Sequence, residues 1–181
     1  FNIAIGNSAL GAAKQDGTAS STNREIKRNI AIGEDALIGG ALTGTNHLES
    51  NIAIGYQAMD ATGANNQIGT IAIGTFALGA LTSGAGNVAV GHQSQKANTT
   101  GNYNTAIGHQ AMLVHDGGLR NVAIGAFAMD DTDAGSPSKA SDDCILIGYS
   151  AGGGTWANQD CSNLIGIGTS ALGGALEGDT T

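Results

Sequence analysis

Hydrophobic and polar positions along this 181-residue chain follow neither a helical stripe nor one long alternation; they recur as a phrase. Residues 87–94, Asn-Val-Ala-Val-Gly-His-Gln-Ser, return 17 residues later as Asn-Thr-Ala-Ile-Gly-His-Gln-Ala. Aligned on its glycine, the phrase occurs nine times, at Gly6, Gly33, Gly55, Gly74, Gly91, Gly108, Gly125, Gly148 and Gly168. The spacings are 27, 22, 19, 17, 17, 17, 23 and 20, so 17 residues is the minimal unit. Directly before the glycine stands Ile5, Ile32, Ile54, Ile73, Val90, Ile107, Ile124, Ile147 or Ile167, and two residues earlier Ile3, Ile30, Ile52, Ile71, Val88, Thr105, Val122, Ile145 or Ile165. Both columns are β-branched in all nine copies, and Ala separates them in seven, with Leu146 and Gly166 in the last two. Large-small-large alternation predicts a short strand with the Ile pair on one face and Ala on the other. The Ala column never carries a charge in nine copies, so that face packs against something.

After each glycine, two variable positions precede a small residue and then usually Leu or Met, as in Ala36-Leu37 and Ala111-Met112. This reads as a turn at the glycine and a second short strand. Asn opens six of the nine copies, where stacked side-chain amides can hydrogen-bond from one copy to the next. One 17-residue unit cannot bury its own apolar face, so the units must stack, with strands pairing in parallel above and below. Nine coils at ~4.8 Å per rung give a stack on the order of 40 Å long. A helical reading fails, because glycine recurs inside every segment and no stripe at helical spacing persists. The expectation is an all-β parallel solenoid, one repeat domain over residues 1–181.

Composition sharpens this picture. Thirty glycines, one proline and 4% aromatic residues leave too few large side chains for an ordinary core, so small residues must pack in a regular lattice. The net charge of −8 argues against nucleic acid as a partner, because binding to phosphate backbones draws on clustered Lys and Arg. No apolar run reaches the ~18 residues of a membrane span, so no membrane insertion is expected. The two cysteines are not spaced for zinc and offer at most one disulfide.

The phrase N-[I/V]-A-[I/V]-G-x-x-[A/S], iterated with uneven inserts, resembles the head repeats of trimeric autotransporter adhesins of the YadA kind, and more closely the NTAIG segments of phage tail fibres. Residues 104–112, NTAIGHQAM, carry the closest likeness, and the likeness extends along essentially the whole chain. The resemblance implies left-handed β-rolls of about nine coils, three chains side by side about one axis. It further implies that the Ala face lets the rolls approach that axis while the Ile pair fills each roll. The implied function is a structural and adhesive segment of a homotrimeric tail fibre, in the virion or outside cells, with other fibre or virion proteins and a host surface glycan or protein as partners. The alternative is the head of a bacterial trimeric surface adhesin. The first copy begins in phase at Phe1-Asn2-Ile3, as expected for a section of a longer fibre.

The inserts supply the candidate contact residues, because loops on a rigid scaffold are where recognition concentrates. The insert at 11–28 holds Lys14, Arg24, Lys27 and Arg28, four of the seven basic residues, as candidates for an anionic surface sugar; the alternative is a solvated loop. Trp156 is a candidate to stack on a sugar ring or to pack over its neighbours. The loop with Asp130, Asp131, Asp133, Asp142 and Asp143 echoes the start of a calcium loop but lacks its distal Glu, so it reads as a solvated acidic loop. His92 and His109 share one column and are expected to stack, though Tyr56, Thr75 and Ala126 in that column mark it as an exposed position rather than a metal ladder. Two enzyme-like motifs are decoys of the repeat. Gly148-Tyr-Ser150-Ala-Gly152 mimics a nucleophile elbow, and Gly166-Ile-Gly168 mimics a dinucleotide fingerprint, yet neither sits in a strand-to-helix context. No catalytic residue, cofactor or metal is expected.

Overall fold

The computed structural model describes residues 1–11, 25–39, 47–62, 66–132, 141–154 and 162–174. Every strand in it is two or three residues long, and no helix occurs among the described residues. The three-residue core of each phrase, from Ile3–Ile5 through Ile165–Ile167, forms one strand of a nine-stranded parallel sheet in chain order. The register is fixed by the phrase: Ala72 pairs with Ala89 and Ala89 with Ala106, and the flanking Ile and Val columns align with them. The chain is a β-solenoid of stacked parallel coils.

Two faces of this sheet are reversed from the sequence expectation. Ala31, Ala53, Ala72, Ala89, Ala106 and Ala123 are completely buried inside the coils. The expected core column, Ile5, Ile32, Ile54, Ile73, Val90, Ile107, Ile124, Ile147 and Ile167, lies on the outer face instead, half-buried or exposed. Ile73 retains 37% of its surface and Ile107 40% in the middle of the stack, away from its ends. The physical reason is volume. Leu37, Met59, Leu78, Met112 and Met129, four residues past each glycine, point into the coil with no exposure. They leave room on the strand side for a methyl group and nothing larger.

The exchange of sizes at the C-terminal end supports this account. Where Leu146 replaces the alanine, Gly152 replaces the Leu or Met that would occupy the same interior space. The next rung answers with Gly166, where a Cβ would lie 2.8 Å from Leu146 Cδ2.

The segment after each glycine is not the expected second strand. Residues two and four past the glycine adopt left-handed backbone, as at Gln57 and Met59 (φ 51° and 52°) and Gln110 and Met112 (φ 55° and 53°). This tight winding still bonds rung to rung: Gln110 N–H donates to His92 O (2.9 Å) and Met112 N–H to Ala128 O (2.8 Å). A second sheet exists elsewhere, formed by Glu25–Lys27, His47–Glu49 and Gln67–Ile68 in parallel.

The phrase glycine is required twice over. Its φ lies between 129° and 144°, a region L residues rarely enter. At Gly91 an added Cβ would also stand 2.3 Å from the carbonyl oxygen of Gly108 in the next coil. Only the last, Gly168, has nothing within 4 Å of that position.

The Asn column forms the expected ladder. Asn104 N–H donates to Asn87 Oδ1 and Asn121 N–H to Asn104 Oδ1, each at 2.9 Å. Each amide Nδ2 reaches forward to a carbonyl of the following coil, Asn87 to Gly101 O (2.7 Å) and Asn104 to Gly118 O (2.6 Å). These side chains are buried, and the ladder satisfies both ends of each amide as burial demands.

Candidate functional site

Three surfaces can carry function: the outer sheet face, the corner at each end of its strands, and the inserts. The outer face is a continuous apolar strip of Ile and Val, with Thr105 as its single polar member. Parallel sheets normally have both faces covered, whereas this one is open on its Ile/Val side.

The corner at the end of the strands gathers aromatic rings that fall in two adjacent columns of the repeat. Tyr56 and Phe76 meet edge to face at 5.4 Å, and Lys96 Nζ lies 5.4 Å from the Phe76 ring centre. His92 and His109 stack at 5.2 Å with planes 14° apart, as their shared column foretold. His109 then meets Phe127 at 5.2 Å, and Phe127 meets Tyr149 at 5.8 Å. The sequence reading singled out the two histidines and missed the rings around them. The signal was present, since Tyr56 and Tyr149 follow the phrase glycine by one residue and Phe76 and Phe127 by two.

The corner at the start of the strands is built on a left-handed residue in each coil, among them Arg28 (φ 60°), Tyr103 (φ 59°) and Arg120 (φ 59°). Arg120 clamps Asp143 of the next coil through Nε to Oδ1 (2.6 Å) and Nη2 to Oδ2 (2.7 Å). That guanidinium holds the Asp143 carboxyl below its ordinary range. Arg28 pairs with Glu49, while Lys27 pairs with Glu25 and lies 3.7 Å from Glu49. The two basic candidates on described residues are therefore already matched by acids from the second sheet. Lys14, Arg24 and Trp156 lie outside the described residues, as do Asp133 and Cys161.

The acidic loop is engaged structurally where it is described. Asp142 Oδ1 accepts the Leu119 N–H (2.7 Å) and Asp143 holds Arg120. Burial pushes the Asp130 carboxyl above its ordinary range. Among the described residues no three His, Cys, Asp or Glu side chains converge as metal ligands. Ser150 sits in the left-handed turn (φ 49°) with its N–H bonded to Ala126 O (3.0 Å), a rung position like its equivalents in other coils. Cys144 takes the Asn position, and its N–H donates to Asn121 Oδ1 (2.9 Å).

Inside the middle coils lies a polar network that the sequence reading did not anticipate. Gln95 Nε2 donates to Val88 O (3.0 Å), Asn98 Nδ2 donates to Gln95 Oε1 (3.0 Å), and Gly101 N–H donates to Asn98 Oδ1 (2.7 Å). One coil further on, His115 is fully enclosed, with Nδ1 2.8 Å from Thr132 Oγ1 and Nε2 3.0 Å from Asn121 Nδ2. An amide nitrogen can only donate, so Nε2 accepts and the proton resides on Nδ1. Burial pushes the His115 pKa down to about 4, against the opposing pull of Asp116.

Comparison of the chain with protein-family models, curated proteins and solved structures finds no match. No helix among the described residues is long and apolar enough to cross a membrane.

Proposed function

We propose that the chain is a structural and adhesive segment of a homotrimeric phage tail fibre, located in the virion, with its inserts turned toward a host surface glycan or protein. The observation that carries this reading is the open Ile/Val face of the nine-stranded sheet. Three such faces meeting about one axis remove it from water, and the Ala column is then the coil interior rather than the contact between chains. Left-handed rolls and nine coils belong to the same reading. The head of a bacterial trimeric surface adhesin uses the same face; inserts of uneven length, spaced 17 to 27 residues apart, favour the fibre.

The test is native mass by light scattering on the chain and on a Val90→Lys, Ile107→Lys double variant. The expected result is a trimer that becomes a folded monomer when two lysines enter the strip. A monomer from the parent chain, or a trimer indifferent to the lysines, overturns the reading. Adhesion is tested separately, by labelling the trimer, decorating host cells and shortening residues 12–24, which should abolish decoration with the trimer intact.

A further inference from the structure

The outer strip alone is too small to hold three chains. Strands three residues wide and nine rungs long span about 10 by 40 Å, on the order of 400 Å² of flat area, whereas a stable interface buries about 800 Å² per partner. The remainder must come from the columns beside the strip, and symmetry decides which ones meet.

In a three-fold arrangement with each sheet facing the axis, the strands lie across the axis and circulate round it in one sense. The end of every strand then abuts the beginning of the neighbouring chain's strand, a heterologous contact that closes after three copies. This argument rests on the trimer reading above. We propose that the seam between subunits is formed by the strand-end corner of one copy seated on the strand-start corner of the next, rung against rung.

The residues in the two corners complement each other at the same rung. In the second rung the strand-end corner carries Glu34 and Asp35, and the strand-start corner carries Arg28. In the fourth rung Phe76 stands at the end and Gly69 at the start, and in the fifth His92 stands against Gly86. Both glycines are left-handed. An added Cβ at Gly69 would meet nothing within 4 Å, so the start corner has space in the fourth rung where the end corner has bulk, whereas in the fifth the Tyr103 ring already lies over Gly86, at 2.7 Å from such a Cβ. In the seventh rung the Phe127 ring faces the position of Arg120, a cation to an aromatic face. In the eighth, the Tyr149 hydroxyl, a donor, faces the carboxylate of Asp143. Acid meets base in the second rung, where Arg28 also holds Glu49 of its own chain, large meets small in the fourth, and donor meets acceptor in the eighth, while the sixth sets the His109 ring against the exposed Tyr103 ring. The ring column is thereby assigned to a second copy of this chain rather than to a ligand.

The experiment is oxidation of a Ser50→Cys, Tyr56→Cys double variant, with the parent chain as baseline for its own cysteines. Within one chain the extended strand Ile52–Ile54 separates these positions beyond the ~7 Å Cα reach of a disulfide. The expected result is a species of three times the chain mass on a non-reducing gel. Neither single variant should cross-link above the parent, and an equimolar mixture of the two singles should yield covalent dimers. A native trimer that forms no such cross-link overturns the seam while leaving the trimer, with the ring column facing outward for a ligand. A monomeric native mass overturns the trimer itself.

Discussion

The two sides of each coil obey different rules. On the strand side the same few residue types recur in every rung, because each contact there is made to the equivalent residue of the next coil. On the return side the interior position seven residues past the glycine changes from Thr62 to Leu81, Asn98, His115 and Thr132, all buried. A strand-side residue must match its neighbour above and below. A return-side residue need not match its neighbour in type; it fills its coil and closes its hydrogen bonds with what the adjacent coil offers, as His115 does with Thr132. The contrast teaches that register is held by repeated backbone-to-backbone proximity, and that the interior is free to vary as long as volume and polarity close locally.

The most damaging way to break this comparison is Gly91→Ala on the strand side. The methyl group would face both a φ of 136° and a backbone oxygen at 2.3 Å, neither of which a rotamer change relieves. The expected loss is more than about 3 kcal/mol of stability, read as a collapse of the thermal unfolding midpoint. Gly168→Ala meets the same strain with open space beside it, so its loss should be clearly smaller. Equal losses would mean that backbone strain, not contact between coils, explains the column.

The return side breaks by protonation. His115 has a pKa of about 4 in the folded chain against an ordinary 6.5. As pH falls below 6.5 the unfolded chain takes up a proton that the folded chain refuses, because a protonated Nε2 would point at the Asn121 amide donor. Stability is therefore complete above about pH 6.5 and is lost down to about pH 4, by ~3 kcal/mol in all. Denaturant midpoints measured from pH 7 to pH 4 should follow this slope. His115→Leu should flatten it, and an unchanged slope in that variant would place the acid sensitivity elsewhere.

Asn104→Ala tests whether the ladder is a strand-side device. It removes the acceptor of the Asn121 N–H and the donor to Gly118 O, leaving a buried N–H without its partner. A loss of ~2 kcal/mol is expected in thermal unfolding. Asn2→Ala, at the exposed end of the Asn column, should cost distinctly less.

The same division decides what was legible in the sequence. The strand, its register, the glycine and the Asn ladder could be read, because nine rungs repeat the same constraint. Which face of the strand points inward could not, because alternation separates Ile from Ala without saying how much room the coil leaves. That room is set by left-handed residues such as Leu78 and Met112, whose side chains carry no local signal for such a backbone. The second sheet was missed because Glu-Ile-Lys, His-Leu-Glu and Gln-Ile share no phrase. The His115 network was missed because His115 and Thr132, from two adjacent coils, stand in a position where other coils place something else. Of the candidate contacts, Lys27 and Arg28 lie on described residues and have acids of the second sheet beside them, which their place in the sequence did not announce.

The smallest effect is a gain, and it is the sharpest test of the strand-side rule. Thr70 occupies the Asn position of the fourth rung. Its N–H is received by Asn51 Oδ1 at 3.0 Å, so the ladder enters the rung normally. Its own Oγ1 is buried and finds no hydrogen-bond partner among the described residues. The hydroxyl is too short to extend the ladder to Asn87, the next rung. Thr70→Asn supplies the missing amide and should join two ladder segments, from Asn2 to Asn51 and from Asn87 to Asn121, into one. A gain of ~1 kcal/mol follows from a buried amide made complete in place of an unpaired hydroxyl. A loss of stability would mean that this rung has a backbone spacing of its own, and that the ladder is broken there by geometry rather than by the residue that happens to occupy it.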